Sequence, residues 1–209
     1  MFTIIRLIKS IDSTNQSQRS SDMQAFLDLL IKHMHERYAH VFTNYYPAHG
    51  STGFTERNLT NNFVSAMERV YPGTCFSWFE APICTTDNKH LDAVVFTETD
   101  VFFIEAKRFT APQSKTHSVR SDLERMQSTE SQKLIEQGLL KPIKRQRYAV
   151  VLADVWTETK GKRKIFETWP ACLENESFFY AKTIEFSELP IEGEWKNNYK
   201  ILVAIKALP

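Results

Sequence analysis

Four places in the chain carry an acid and a lysine separated by one residue: Asp87 and Lys89, Glu105 and Lys107, Glu158 and Lys160, and Glu194 and Lys196. The spacing alone says little, and context separates the four. Three lie in polar or turn-like stretches where charges are simply solvated. Glu105 and Lys107 instead sit inside the apolar run VFFIEAKRF, residues 101 to 109. Desolvating charge in such a run is costly unless the charges are paired or used.

Successive side chains on a strand point to opposite faces, so Glu105 and Lys107 share one face and Ile104 and Ala106 the other. The preceding run LDAVVFT, residues 91 to 97, is joined through Glu98 and Thr99. A two-residue turn there pairs Thr97 with Asp100, and counting outward sets Asp92 opposite Glu105. Opposed residues in an antiparallel pair bring their β-carbons to about 5 Å. Two carboxylates meeting at that distance repel, and a cation relieves the repulsion. Hard oxygen ligands suit Mg²⁺, with Mn²⁺ able to substitute, because Mg²⁺ takes one or two carboxylates and completes its shell with water and phosphate oxygens. A lysine one strand position away can orient a water or offset transition-state charge, so the set fits phosphodiester hydrolysis. The competing reading is a structural Glu105–Lys107 pair on a partly exposed strand, with Asp92 a charge at a strand edge.

The elements around these residues follow from periodicity. Residues 12 to 21 form a polar run that reads as a linker. From Asp22 to about Phe42, apolar residues at Met23, Phe26, Leu27, Leu30, Ile31, Met34, Tyr38 and Val41 give helical spacing with a broad stripe. That stripe also offers an oligomerisation surface, so a homodimer is one expectation. His33 and His35 are two apart and cannot share a helix face, which argues against a metal role for the histidines. Thr55 is a cap for a second helix through Leu59, Phe63, Met67 and Val70, ending at Tyr71-Pro72-Gly73. Glu56 in its first turn is either a carboxylate favoured by the helix N-terminus or a functional acid aligned with the buried stripe.

Three strands are expected next, at 75 to 82, 91 to 97 and 101 to 109. A helical region from about Ser118 to Gln137 follows, with Ser121 and Glu124 spaced as a capping box and Gly138 as its stop. Further strands are expected at 148 to 156, 178 to 186 and 199 to 208. The order is α, β, β, β, α, β with additions at both ends: residues 1 to 53 as a helical extension packed on a core unit of residues 54 to 209.

In this arrangement the chain resembles the PD-(D/E)xK, or restriction-endonuclease-like, nuclease superfamily. Asp92, then Glu105-Ala106-Lys107 after a hairpin, carry the resemblance, with a helix before the first strand and another after the third. It spans roughly residues 54 to 156, and Leu91 stands where the motif's name has proline. The resemblance implies a three-layer α/β domain, a mixed sheet flanked by helices. It implies that Asp92 and Glu105 bind the metal, that the backbone carbonyl of Ala106 adds a ligand and that Lys107 is catalytic. Many members carry a glutamate on the helix before the first strand, which favours Glu56 as a supporting acid, and Glu80 on the first strand is a second candidate. The expected activity is metal-dependent cleavage of DNA, with RNA also open. The alternative is a binding module for nucleic acid or protein that keeps the fold without catalysis.

Composition bounds the rest. With 26 Lys and Arg against 25 Asp and Glu, the net charge of +1 gives no global attraction to a polyanion. Affinity for nucleic acid must then come from local clusters: Lys141, Lys144, Arg145 and Arg147 before the fourth strand, and Lys160, Lys162, Arg163 and Lys164 in a turn after it. Either cluster also reads as a solvated loop. No helix-turn-helix or zinc finger is evident, so sequence-specific reading is not expected. Cys75, Cys84 and Cys172 are an odd count without zinc-ligand spacing and read as free thiols in a reducing compartment. The opening stretch, interrupted by Arg6 and Lys9, makes a poor signal peptide, and no run approaches the ~20 apolar residues of a membrane span. A cytoplasmic location is the expectation.

Overall fold

Hydrophobic alternation in the strands and a 3.6-residue stripe in the helices give two apolar surfaces on one sheet, and each surface needs a helical layer to cover it. The computed structural model describes residues 16–45, 54–84, 88–139, 144–173, 177–193 and 195–209. Lys141, Asp87, Glu194 and the opening stretch lie outside the described residues. The elements are α1 (Gln16–Asn44), α2 (Glu56–Val70), β1 (Phe76–Pro82), β2 (His90–Phe96), β3 (Asp100–Arg108), α3 (Pro112–Gln127), α4 (Thr129–Gln137), β4 (Gln146–Trp156), α5 (Lys160–Thr168), β5 (Tyr180–Glu185), the short α6 (Trp195–Asn198) and β6 (Tyr199–Leu208).

The six strands form one mixed sheet in the order β1-β2-β3-β4-β6-β5. β3 and β4 run parallel, because α3 and α4 carry the chain back between them, and the other neighbours are antiparallel. One face of the sheet, with Val95, Phe102, Ile104, Val150, Leu152 and Val203, packs under α1 and α2. The other, with Val94, Phe103, Val151 and Ala153, packs under α3, α4 and α5 through Val119, Leu123, Ile135 and Ile165. In α1, Leu27, Leu30, Met34, Tyr38 and Phe42 are buried in the first of these layers. The helix thus shares the sheet's core, and its apolar stripe is spent on the chain's own sheet.

Several expectations shift. α1 is already helical at Gln16, where a linker was expected up to residue 21: Gln, Arg and Ser cost a helix little once buried turns have nucleated it. The third helical region starts at Pro112, which fits the first helical position, and breaks at Ser128 into two helices. Ser128 is extended, and its hydroxyl accepts from the Ser131 N–H at 3.5 Å, capping α4. Ser121 and Glu124 therefore lie inside α3 and are not a capping box. The basic stretch after β4 is a helix, α5, capped by Thr159, and not a turn. All three cysteines are free and half-buried. Among the described residues no helix is long and apolar enough to cross a membrane.

Candidate functional site

The β2–β3 hairpin sets the geometry. The Thr97 N–H donates to the Asp100 carbonyl at 2.9 Å, closing the two-residue turn at Glu98-Thr99. The ladder runs from Phe96↔Val101 to Ala93↔Ile104, and one further step in this register matches Asp92 with Glu105. Asp92 is anchored where the ladder ends: its Oδ2 accepts from the Ala106 N–H at 2.7 Å. Asp92 and Glu105 lie close enough for each to act on the ionisation of the other. Burial raises Asp92 above the usual carboxylate range, against the opposing pull of the Ala106 N–H and Lys107. Glu105 is 3% exposed, and burial pushes it up to about 8; Lys107 opposes the shift, while Asp122 and Asp92 add to it.

Lys107 lies on the same face of β3. Its Nζ is 3.2 Å from Glu105 Oε2 and 2.8 Å from Asp122 Oδ2. Burial works against the ammonium, but Glu105, Asp122 and Asp92 outweigh it and hold the lysine above its usual range. Asp122 and Arg125 come from α3, and neither stood out from spacing. Arg125 Nη2 is 3.3 Å from Glu105 Oε1 and also contacts Asp122 Oδ1. A signal for Asp122 exists in the sequence: Val119, Leu123 and Met126 form the buried stripe of α3, and Asp122 falls within it at helical spacing. Three acids (Asp92, Glu105, Asp122) and two cations (Lys107, Arg125) thus meet, leaving one negative charge uncompensated when all are ionised.

Glu56, the first residue of α2, reaches the carboxyl end of β3. Its Oε1 accepts from the Arg108 N–H at 2.8 Å and lies 3.3 Å from Lys115 Nζ. Its charge is felt at both Asp92 and Asp154, which puts it beside the pair but outside their contact. Glu80 is placed differently. It has a positive φ of 51°, and its exposed carboxylate pairs with Arg57 of α2 at 3.3 Å. Ala106 is buried, with its N–H committed to Asp92.

The first basic cluster is engaged in holding the fold. Arg147 grips Glu136 with two bonds of 2.7 and 2.9 Å and donates to the Pro209 carbonyl at 3.0 Å. Arg145 donates to the Thr97 carbonyl at 2.8 Å and lies over the Phe96 ring. These residues lie at the start of β4, opposite the start of β3 and remote from its Glu105–Lys107 end; Lys144, just before the strand, is exposed. Lys162, Arg163 and Lys164 lie on α5, which follows the carboxyl end of β4, so only this cluster shares an end of the sheet with the site; Arg163 and Lys164 are exposed.

Among the described residues, no group of three or more His, Cys, Asp or Glu side chains is arranged to hold a metal ion. The neighbouring carboxyl groups of Asp92 and Glu105 are nevertheless a donor set that fits a cation such as Mg²⁺, which needs only one or two protein carboxylates. Comparison with protein-family models, curated proteins and solved structures gave no match. The class defined by the coordinates is an α/β protein with a six-stranded mixed sheet and a buried acid–lysine cluster at the carboxyl end of its parallel pair.

Proposed function

We propose that this chain is a restriction-endonuclease-like nuclease that hydrolyses phosphodiester bonds in nucleic acid, DNA foremost, with a divalent cation held by Asp92 and Glu105. The observation that carries the reading is the convergence of Asp92, Glu105 and Lys107 on one sheet face within an apolar layer. Two neighbouring desolvated carboxyl groups are unfavourable without a cation. A bound Mg²⁺ supplies Lewis-acid polarisation of the phosphate and a more acidic water. Lys107, held between Glu105 and Asp122, presents an ammonium whose position is fixed before substrate arrives. Arg125 is a third exposed and bridges the same two acids, which leaves it able to reach a phosphate oxygen. Glu56 positions the end of β3 through the Arg108 N–H and acts as a supporting acid.

One observation favours a second reading, a binding module without catalysis: Lys107 and Arg125 already balance Glu105 and Asp122 two against two. Incubation of plasmid, linear duplex, single-stranded DNA and RNA with Mg²⁺, Mn²⁺ or EDTA separates the two. Cleavage that needs the metal and is abolished in an Asp92→Asn, Glu105→Gln double variant supports the nuclease. Tight binding with no cleavage under any condition supports the module.

A further inference from the structure

The acid–lysine centre is closed on itself. Lys107 and Arg125 each touch both Glu105 and Asp122, and the two oxygens of each carboxylate take different cations. Lys107 lies at Glu105 Oε2 and Asp122 Oδ2, and Arg125 at Glu105 Oε1 and Asp122 Oδ1. Two of these four pairs are local. Glu105 and Lys107 share one face of β3, and Asp122 and Arg125 stand three apart on α3. The other two cross from strand to helix, so the ring also joins α3 to β3.

The two acids of the ring are not equivalent. Asp122 is the nearer one to Lys107, at 2.8 Å against 3.2 Å for Glu105, and it is also the nearer one to Arg125. Among the described residues, Asp122 Oδ2 accepts no hydrogen bond from any other group, so the Lys107 ammonium alone neutralises that oxygen. Nor does Asp122 join Asp92 and Glu105 in a set of three acids arranged to hold a metal ion. Its carboxylate therefore serves the two side-chain cations and nothing else, whereas Glu105 also neighbours Asp92. A buried ammonium needs an acid beside it, and a buried acid needs a cation. Once Glu105 turns to a divalent cation, Lys107 must have another acid or leave the interior, and Asp122 is the acid already in contact.

We propose that Asp122 is a positioning residue, the seat on which Lys107 stays when Glu105 gives its oxygens to a divalent cation. The inference rests on the nuclease reading, which assigns that cation to Asp92 and Glu105. With Asp122 in place, Lys107 keeps a partner that does not bind the metal, and its ammonium holds its position at the end of β3. Without Asp122, the carboxylate left in contact with Lys107 is Glu105, and lysine and metal compete for it. Asp122 thus sets how easily the cation enters, although it neither ligates the cation nor touches the substrate.

The test is a double-mutant cycle read by Mn²⁺ binding, with free Mn²⁺ followed by electron paramagnetic resonance and no nucleic acid present. The proteins are wild type, Asp122→Asn, Lys107→Ala and the double variant, each checked for folding by a urea melt. Asp122→Asn should weaken Mn²⁺ about tenfold in the wild-type background, the scale on which outer carboxylates act on metal affinity. In the Lys107→Ala background the same substitution should cost about twofold or less, because no lysine is left to seat. A carboxylate that acts by its charge alone, or that only holds α3 in place, weakens Mn²⁺ equally in both backgrounds. That result overturns the proposal, as does an Asp122→Asn variant that binds Mn²⁺ like wild type. Should Asp122→Asn not fold, amine labelling of wild type read by mass spectrometry decides. Lys107 should label far more slowly than the exposed Lys144 with and without Mg²⁺, and a Lys107 that labels like Lys144 once Mg²⁺ is bound has left Asp122 and overturns the proposal. A wild type that follows the expected pattern yet cuts no nucleic acid retires the nuclease reading and retains the seat. A wild type that binds no Mn²⁺ retires both.

Discussion

Replacing Lys107 by alanine separates the stabilising from the chemical role of the cluster. The Lys107 side chain is 16% exposed and pairs with Glu105 and Asp122, which are 4% and 5% exposed. Without it, Arg125 alone must serve both acids. Removing one partner of a buried ion pair costs about 3–5 kcal/mol because the remaining charge stays desolvated. Glu105, already pushed up to about 8, can escape part of this by holding a proton at neutral pH, so the lower end, about 3 kcal/mol, is expected. In urea that is a midpoint shift on the order of 1 M for a chain of this size. Loss of the ammonium also removes a competitor for the carboxylates. Mg²⁺ should therefore bind Lys107→Ala more tightly than wild type and recover about 2.7 kcal/mol at a hundredfold excess over Kd. Cleavage should stay lost despite the recovered stability, since the group that meets the transition state is gone. Urea melts with EDTA and with Mg²⁺, alongside a cleavage assay, decide it. An unchanged midpoint in EDTA, or equal Mg²⁺ stabilisation of both proteins, would refute the argument that Lys107 is a buried counter-ion competing with the metal.

Two further outcomes are expected. Glu105 is raised from 4.5 to about 8 in the folded chain, so its contribution to stability is complete below pH about 4.5 and is lost as pH rises through about 8. Metal-free wild type should grow easier to unfold over that window in denaturant melts, while Glu105→Gln should keep a smaller dependence from Asp92 and Asp154, both raised by burial, Asp154 to about 7, and both running in the same direction; identical profiles for the two proteins would contradict the shift. Neutralising Lys162, Arg163 and Lys164 on α5 should weaken DNA binding and lower the slope of log affinity against log salt by roughly 0.7 to 0.9 per lost phosphate contact. Arg147→Gln should instead leave that slope alone and lower stability, because Arg147 is bound to Glu136, and a reversed pattern in salt titrations would return the phosphate role to the β4 cluster.

What could be read from the residues divides along a physical line. Period-two alternation with a tight turn fixed the β2–β3 register, since a one-residue slip would have turned the buried faces of both strands outward; from that register the Asp92–Glu105 pairing followed by counting. α5 was hidden because KGKRKIFET has only Ile165 and Phe166 to carry a stripe, while its glycine and four cations read as a turn. The partners of Arg145 and Arg147 could not be read, because a cationic cluster is the same string whether it faces phosphate or the chain's own Glu136 and Thr97 carbonyl, and only long-range folding brings those partners up. Asp122 and Asp154 are a different case. Each is an acid within an apolar pattern, in the α3 stripe and in YAVVLADVW, the same context that singled out Glu105. No acid-x-lysine spacing accompanies either. Yet the cost of burying a carboxylate depends on its surroundings and not on a motif, so apolar context is the more general signal. Applied to every charge in the chain, it joins Asp122 to the acid–lysine centre and brings out Asp154, buried on the opposite sheet face beside Arg108 and the Tyr199 hydroxyl.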